Sequence, residues 1–452
     1  MNIYLPVLFN NLAHNPPGVL PTSPRVNVPY FDGEINLHFA ETAILWFGQV
    51  TPTENYADVR VGYNQDELWV YIAVVDRRLW YDPNPSVEEL ALWDAATLYL
   101  DLNGNPGEKI GGEVYRFVGQ LNWWEPREEY QVAYRNTGSE WQIIPFNFTT
   151  NTSWWGLPQP NDDKDDRGWA ISFRIPFQNL DLPEKPTDGT LWRMAIQLHD
   201  RDDAAGTPIL DKTWPPAMEA NHTNSWGNLR FSLPVYTPPE GANPDGTVTI
   251  RHGLNGATVV DGMAGGQMGC GWPLEYWTNW GQANYQGTEQ VNVQNEFDIS
   301  DWPCFSKYYL TFPLDSLPPG KEIISATLTL TSVGNAGMGE WGPPGYSVVQ
   351  VLTVGQDWDE ATLNWNNAPL ALENVSRTLV EPIPEGSYPP GKPHKWDLSY
   401  AVNQAYSAGI PLRLALYSAD YDYNTGRYFA ASETGDAIQE YRPTLDVVWG
   451  DP

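Results

Sequence analysis

The chain has little positive charge, almost no cysteine and no long hydrophobic run. Lys and Arg number 25 against 56 Asp and Glu, a formal net charge of -31 over 452 residues. So acidic a surface repels phosphate backbones and anionic headgroups, which excludes nucleic acid and membrane surfaces as expected partners. No apolar stretch approaches the ~18 residues that cross a bilayer, so no membrane insertion is expected. Charged residues make up only 18% and hydrophobic residues 41%, a globular composition rather than a disordered acidic one. The six histidines lie far apart without HExxH spacing, and the two cysteines have no nearby partners, so zinc is not expected. The Gly-Lys-Ser/Thr end of a phosphate loop and a Gly-x-Ser-x-Gly elbow are both missing. No charged segment followed by an apolar one opens the sequence, so an exported form is expected to have lost its signal before this numbering begins.

What is present is aromatic and turn-rich: 22 Trp, 24 Tyr, 40 Pro and 39 Gly. Such residues write short strands joined by frequent turns. Strand-like alternation begins near Tyr30 and recurs in ADVRVGYNQDELWVYIAVVD, AATLYLDLNG, EVYRFVGQLNWW, GWAISFRIPF and TLWRMAIQLHD. A second set follows in KYYLTFPL, EIISATLTLTSV, YSVVQVLTV, RLALYSA and TLDVVWG. Only DLSYAVNQAYSAG carries a helical period, with Leu398, Val402, Ala405 and Tyr406 on one face. The fold class expected is all-β, two jelly-roll-like β-sandwich domains in tandem. Residues 1–28 read as a Pro/Asn tether, 29–236 as the first sandwich, 237–247 as a linker and 248–452 as the second sandwich. The extracellular composition favours a secreted or cell-surface protein, in which Cys270 and Cys304 are expected to pair. That pairing would close a loop of about 35 residues, roughly 4 kcal/mol in a chain-entropy model. Two buried free thiols are the other reading.

Two kinds of chemistry stand out. A sugar presents apolar C–H faces and a rim of hydroxyls, so its binder needs exposed indoles beside amides, carboxylates or Arg. The stretch GQLNWWEPREEY offers this with Gln120, Asn122, Trp123, Trp124, Glu125 and Arg127, and TNTSWWG adds Trp154 and Trp155. In the second half a long loop carries Trp272, Tyr276, Trp277, Trp280 and Tyr285, with Trp341 beyond it. That loop either folds back as a small core or presents a platform. Trp358, Trp365 and Trp396 read as core.

The second chemistry is oxygen-rich turns. Calcium takes six to eight oxygens from Asp, Asn and carbonyls in flexible loops. Four loops supply them: Asp101, Asn103, Asn105 and Glu108; Asp162, Asp163, Asp165 and Asp166; Asp200, Asp202 and Asp203; Asp420, Asp422 and Asn424. Each reads first as a metal-free hairpin turn. Crowded carboxylates repel one another, however, and a cation removes that cost.

These motifs carry a family likeness. The order of FDGEINLHFAETAILWF, VRVGYNQDELWVYIAVVD, WDAATLYLDLNGN and IQLHDRDD…SWGNLRF resembles the family 9 carbohydrate-binding modules and DOMON-like domains over residues 30–236. YYLTFPLDSLPPGKEIISATLTL, WDEATLNWNNAP and YFAASE…YRPTLDVVW resemble the DNRLRE, or disaggregatase-related, domain over 247–450. The resemblance implies jelly-roll sandwiches, attachment to extracellular glycans and calcium as a structural ion. The expected function is a non-catalytic polysaccharide-binding protein with neutral glycans as ligand, since -31 disfavours uronate chains unless calcium bridges them. Two alternatives remain: a polysaccharide hydrolase or lyase, and a cell-surface or filament subunit whose IYLPVLF segment adds to a neighbour's sheet by self-association.

Overall fold

The computed structural model describes residues 21, 23–104, 113–138, 140–156, 159–266, 276–295, 305–336, 342–384, 386, 391–422 and 424–452. The first half contains β1 (Arg25–Val28), β2 (Ala43–Thr51), β3 (Glu54–Tyr63), β4 (Glu67–Val75), β5 (Ala95–Asp101), β6 (Val114–Gln120), β7 (Gln131–Asn136), β8 (Trp141–Ile144), β9 (Thr149–Trp155), β10 (Gly168–Pro176), β11 (Leu191–His199), β12 (Lys212–Trp214) and β13 (Gly227–Phe231). The second contains β14 (Asn243–Arg251), β15 (Val260–Gly265), β16 (Gln290–Val293), β17 (Ser306–Phe312), β18 (Glu322–Asn335), β19 (Ser347–Val354), β20 (Ala371–Val380), β21 (Lys392–Asp397), β22 (Leu412–Ser418), β23 (Arg427–Ala430) and β24 (Thr444–Asp451). One α-helix, α1 (Ser399–Ala408), sits where the 3.6-residue period placed it and ends on Gly409 in the left-handed conformation. The all-β class holds. Among the described residues no helix is long and apolar enough to cross a membrane.

The first half is a sandwich. One layer is the five-stranded sheet β2-β3-β4-β10-β9; the other is β13-β11-β5-β6-β7-β8. Alternate residues point inward. Val59, Val61, Val70, Ile72, Ile171 and Phe173 from one layer meet Leu98, Leu100, Phe117, Met194 and Ile196 from the other in one buried core. The second half repeats the scheme with β15-β17-β22-β19-β20 facing β14-β24-β18-β23-β16, and its core contains Leu310, Leu328, Leu330, Val349, Val351 and Trp396.

The halves are not joined only by a tether. Residues 25–28, read from sequence as the end of a linker, form β1, which pairs in parallel with β13 over four residues and with β20 at Arg25↔Glu373. A single sheet of thirteen strands therefore runs through both halves. Side chains close the seam. Asn27 Nδ2 donates to Glu373 Oε1 at 2.9 Å and to the Asn374 carbonyl at 2.6 Å, and Asn374 Nδ2 returns a bond to the Asn27 carbonyl at 2.8 Å. Four residues flanked by prolines carry too short a period to announce a strand, and both partners lie more than 200 positions away. The segment read as the 237–247 linker likewise ends inside β14, which begins at Asn243.

A third core lies between the halves, where Ile44, Trp46, Tyr56 and Val75 meet Tyr276, Trp280, Phe305, Tyr309, Trp365 and Tyr417. At its centre Lys307 is buried among four rings, with Nζ 3.5 Å from the centroid of Trp365, 4.4 Å from Trp46, 4.7 Å from Tyr56 and 4.8 Å from Tyr417. Burial pushes its ammonium well below the ordinary lysine range, while Asp58 pulls the other way. Nζ donates to Tyr56 Oη at 2.7 Å, and Tyr56 Oη donates to Asp58 Oδ1 at 2.5 Å. Tyr417 Oη and Asn295 Nδ2 donate to Asp58 Oδ2 at 2.8 and 3.0 Å.

One buried histidine gives the second half a pH dependence. His394, against Ser332 Oγ at 3.1 Å, is held down to about 4, first by burial and then by the charges of Lys392 and Arg427. Unfolded, it titrates near ~6.5. Between those values the unfolded chain binds the extra proton, so stability falls as pH drops from about 6.5 towards 4. His394→Gln is expected to lose less thermal stability than the parent between pH 7 and pH 4.5 in a melting series; an equal loss would remove this assignment.

Candidate functional site

The turn after β6 brings together three of the indoles singled out in the sequence. Trp123 and Trp124 lie 6.0 Å apart at 32°, and Trp154 at the end of β9 stands across both, 6.0 Å from Trp123 at 85° and 6.1 Å from Trp124 at 77°. Trp123 packs on the first core, while Trp124 is 80% exposed. The result is a right-angled corner with Trp124 as its open face. The stretch is a turn rather than a strand, so the outward ring is set by that turn and not by strand alternation.

The polar groups around this corner are committed to holding it. Glu125 Oε2 accepts the backbone N–H of both Trp123 and Trp124 at 3.1 Å, and its Oε1 accepts Tyr81 Oη at 3.0 Å. Arg127 donates through Nε to Thr150 Oγ1 at 2.7 Å, through Nη2 to the Tyr130 carbonyl at 3.0 Å, and through Nη1 to Asn122 Oδ1. Gln120 is buried and bonds the Asp82 N–H and the Leu90 carbonyl. Arg127, expected to touch ligand, is therefore a clamp on the turn. A planar guanidinium with several donors suits that role when it is desolvated. What the corner offers a ligand is an apolar face.

The other aromatic candidates separate. Trp155, one residue from Trp154, points to the opposite face of β9 and packs against the core between the halves. Trp280, expected in a sugar platform, is buried there with Tyr276, the two rings stacked 4.9 Å apart, and Trp277 lies half-buried over them. The described part of that loop thus folds back as core, because packing at a tilt against Trp365 covers apolar area that a solvent-facing platform would leave wet. Trp365 and Trp396 are core, as their positions suggested. Trp272, Trp341, Asn105, Glu108, Cys270 and Cys304 lie outside the described residues.

A second polar and aromatic cluster, in which Tyr99, Tyr134, Thr97 and His199 are buried, is not apparent from the sequence. On the outer face of β5, β6 and β7, register puts Tyr99, Arg116 and Tyr134 side by side. The Arg116 guanidinium lies 3.9 Å over the Tyr134 ring and 5.2 Å from that of Trp141. Trp141 Nε1 donates to Asn221 Oδ1 at 2.9 Å. Beside them runs a polar chain: Tyr99 Oη to Gln197 Oε1 at 2.9 Å, Gln197 Nε2 to Asp211 Oδ2 at 2.6 Å, His199 Nδ1 to the same oxygen at 3.0 Å, and His199 Nε2 to Thr97 Oγ1 at 2.9 Å. The signal in the sequence is Thr97, Tyr99 and Asp101 at alternate positions of β5, and Gln197 and His199 at alternate positions of β11.

Of the oxygen-rich loops, one assembles. Asp200 and Asp202, just after β11, meet Asp76, just after β4, with one carboxylate oxygen of each within 4.8 Å of the others. Asp76 and Asp200 are buried, and Asp200 Oδ1 has no hydrogen-bond partner among the described residues. Burial and then the Asp202 charge push Asp200 up to about 7, and burial also raises Asp76 and Asp202. Asp94, close by, is already satisfied by the N–H groups of Trp80 and Arg201 at 2.7 and 2.9 Å. Asp76 could not be found from spacing, since it lies 124 positions before Asp200. Among the described residues this is the group of three that could hold a cation.

The remaining loops disperse their carboxylates. Asp101 caps its own turn through the Asn103 N–H at 2.9 Å. Asp162 bonds Lys164 Nζ at 2.9 Å and Asp165 bonds Arg77 Nε at 2.8 Å, while Asp163 is exposed. Asp203 accepts the Ala205 and Thr207 N–H groups at 3.0 Å. Asp420 accepts Ser347 Oγ at 2.6 Å near the buried Arg427, Asp422 is exposed, and Asn424 adopts φ 72° in the turn.

No protein-family model and no curated protein matches the chain, so the DNRLRE and DOMON-like resemblances rest on their motifs alone. Among solved structures, the chain is similar to a family 9 carbohydrate-binding module from Caldicellulosiruptor kristjanssonii in complex with cellotriose. That likeness has 16% identity and a TM-score of 0.33, over 47% of this chain and 100% of the module. For a family 9 module of the same organism with glucose the values are 15%, 0.32, 48% and 100%.

Proposed function

We propose that this is a non-catalytic, extracellular polysaccharide-binding protein. Trp124 supplies the stacking face and calcium ties together one end of the first sandwich. The observation that carries the reading is the open Trp124 ring, 80% exposed and buttressed at right angles by Trp154. Trp124 is the one exposed indole among the described residues, and with the partly buried Trp123 and Trp154 beside it the ring belongs to a contiguous aromatic corner rather than standing singly. The C–H face of a pyranose fits, and with Asn122, Glu125 and Arg127 bonded to the scaffold, stacking is the main attraction. Neutral glycans are the expected class, since the net charge of -31 opposes acidic ones. Calcium fits the cluster because every ligand there is oxygen and the Asp200 carboxylate keeps an unbonded atom inside it.

Affinity electrophoresis in gels containing β-glucan, xylan or alginate tests the reading. Retardation is expected in a neutral glycan, and Trp124→Ala is expected to weaken it at least tenfold while the melting temperature stays within about 1 °C, because the ring makes few core contacts. Trp141→Ala is the internal control. Loss on Trp141→Ala alone would move the site to the Arg116 face, and no retardation in any gel would end the proposal.

A further inference from the structure

Three buried groups of complementary reactivity meet at the joint of the two halves. They are Lys307 of β17, Asn295 just after β16, and Asp58 of β3. Gln294 and Ser306 exchange both backbone hydrogen bonds, at 3.1 and 2.9 Å, as an antiparallel pair. That register sets Asn295 opposite Phe305 and diagonal to Lys307, with all three side chains on the face turned to the third core, where Phe305 packs. A diagonal neighbour on one face lies within reach of a long side chain. Asp58 comes to the same place from the other sandwich. Its Oδ2 accepts Asn295 Nδ2 at 3.0 Å, and its Oδ1 accepts Tyr56 Oη at 2.5 Å, which in turn accepts Lys307 Nζ at 2.7 Å. The amine and the amide thus stand at the two ends of one relay, running from Nζ through Tyr56 Oη and the Asp58 carboxylate to Nδ2.

Each end is in a reactive form. Four rings enclose Lys307, and burial pushes its Nζ well below the ordinary lysine range, so the free amine with its lone pair is at hand. Asn295 keeps its carbonyl uncommitted. Its Nδ2 bonds Asp58 and the Ser418 carbonyl, whereas Oδ1 is buried and finds no partner among the described residues. An orphaned buried oxygen is uncommon in a settled core and calls for a reason.

A lysine so enclosed does not serve a dissolved substrate, because the rings that discourage its charge also close it off. Its electrophile belongs to the chain. Asp58 receives hydrogen bonds from Tyr56, Tyr417 and Asn295, the pattern of a carboxylate, and a carboxylate resists nucleophiles. The Asn295 amide is the group left to be attacked.

We infer that the chain links itself: Lys307 Nζ and Asn295 Cγ form an amide bond at the seam, with Asp58 carrying the proton. The Nζ–Cγ bond forms and the Cγ–Nδ2 bond breaks. One proton leaves Nζ, passes by Tyr56 Oη to Asp58 and is delivered from Oδ2 to Nδ2, which departs as ammonia. Nothing is oxidised or reduced, and no co-reactant is required. Groups held side by side in a dry cage need no encounter from solution, which is where intramolecular reactions gain their rate. The product ties β17 covalently to the end of β16.

Mass spectrometry of the intact, denatured full chain tests this. The protein is expected to be lighter than the 50.8 kDa of its sequence by one ammonia. A tryptic digest is expected to hold a branched peptide joining Asn295 to an uncleaved Lys307. Lys307→Met, similar in length and apolar, is expected to show the whole sequence mass. Asp58→Asn keeps both reacting groups and removes the proton carrier; its folded fraction, isolated by size exclusion, is expected to retain the ammonia. A parent chain at full sequence mass overturns the inference, whatever the variants do. So does an ammonia loss that persists in Lys307→Met, which places it at another amide, or one found without the branched peptide. A cross-link formed equally well in Asp58→Asn removes the proton carrier and overturns the mechanism. Loss of water in place of ammonia would join Lys307 to Asp58 and overturns the inference too.

Discussion

Asp58→Ala is expected to lower the unfolding free energy by about 3–5 kcal/mol, the range for breaking a buried charged network by removing one partner. Asp58 receives Tyr56 Oη, Tyr417 Oη and Asn295 Nδ2, all buried, and the first of these also receives Lys307 Nζ. Alanine leaves the Tyr56 and Tyr417 hydroxyls without that acceptor and takes one of the two bonds of Asn295 Nδ2, which keeps the Ser418 carbonyl at 2.9 Å; each orphaned group costs roughly 1–3 kcal/mol. Asp58→Asn keeps one acceptor oxygen and is expected to cost about half as much. The residues come from both halves, so the loss should appear in one cooperative transition rather than in an early unfolding of one sandwich. Urea unfolding followed by Trp fluorescence and by far-UV circular dichroism checks both points. A cost below about 1 kcal/mol, or two separated transitions in the parent chain, would show that the seam is not the joint described here.

The second large effect belongs to the carboxylate cluster. With Asp76, Asp200 and Asp202 converging and two of them buried, the metal-free fold holds mutual repulsion and an unpartnered oxygen. A divalent cation bound only by the folded state stabilises it by RT ln(1 + [L]/Kd), about 2.7 kcal/mol at a hundredfold excess over Kd. Millimolar calcium is therefore expected to raise the melting temperature by several degrees, and EGTA to reverse the rise. Asp200→Asn should abolish the response and make the metal-free protein at least as stable as the parent, since it removes a buried charge without adding bulk. Asp162→Asn, in the loop whose carboxylates pair with Lys164 and Arg77, should leave the calcium response intact. A calcium response that survives Asp200→Asn would move the ion elsewhere, and no response in the parent would remove it.

Particular elements show what could be read in advance. The hairpin of β3 and β4 is announced by YNQDE between two alternating runs, and α1 by Leu398, Val402 and Ala405 at helical spacing. β20 is not apparent in advance, since ALENVSRTLV alternates poorly because both of its faces are largely covered. The indole corner was half legible. Trp123, Trp124 and Trp154 were marked by type, but their exposure could not be, since a turn held by Glu125 and Arg127 decides which ring faces water. Trp280 was placed on the wrong side of that divide for the same reason: an aromatic loop reads alike whether it covers a core or faces solvent.

The amino-acid order alone determined the class of fold, because the two-residue period of a strand is a local property that side-chain alternation must follow. It also determined the solution character: acidity, aromatic wealth and the shortage of cationic side chains are properties of composition and survive any arrangement. Only the tertiary structure decided that β1 fuses the two sandwiches, that Asp76 joins Asp200 and Asp202, and that Lys307 sits in a cage built by both halves. Each of these is a meeting of groups tens to hundreds of positions apart, and the energy that fixes it, from burial and desolvated hydrogen bonds, exists only once the chain has closed around them.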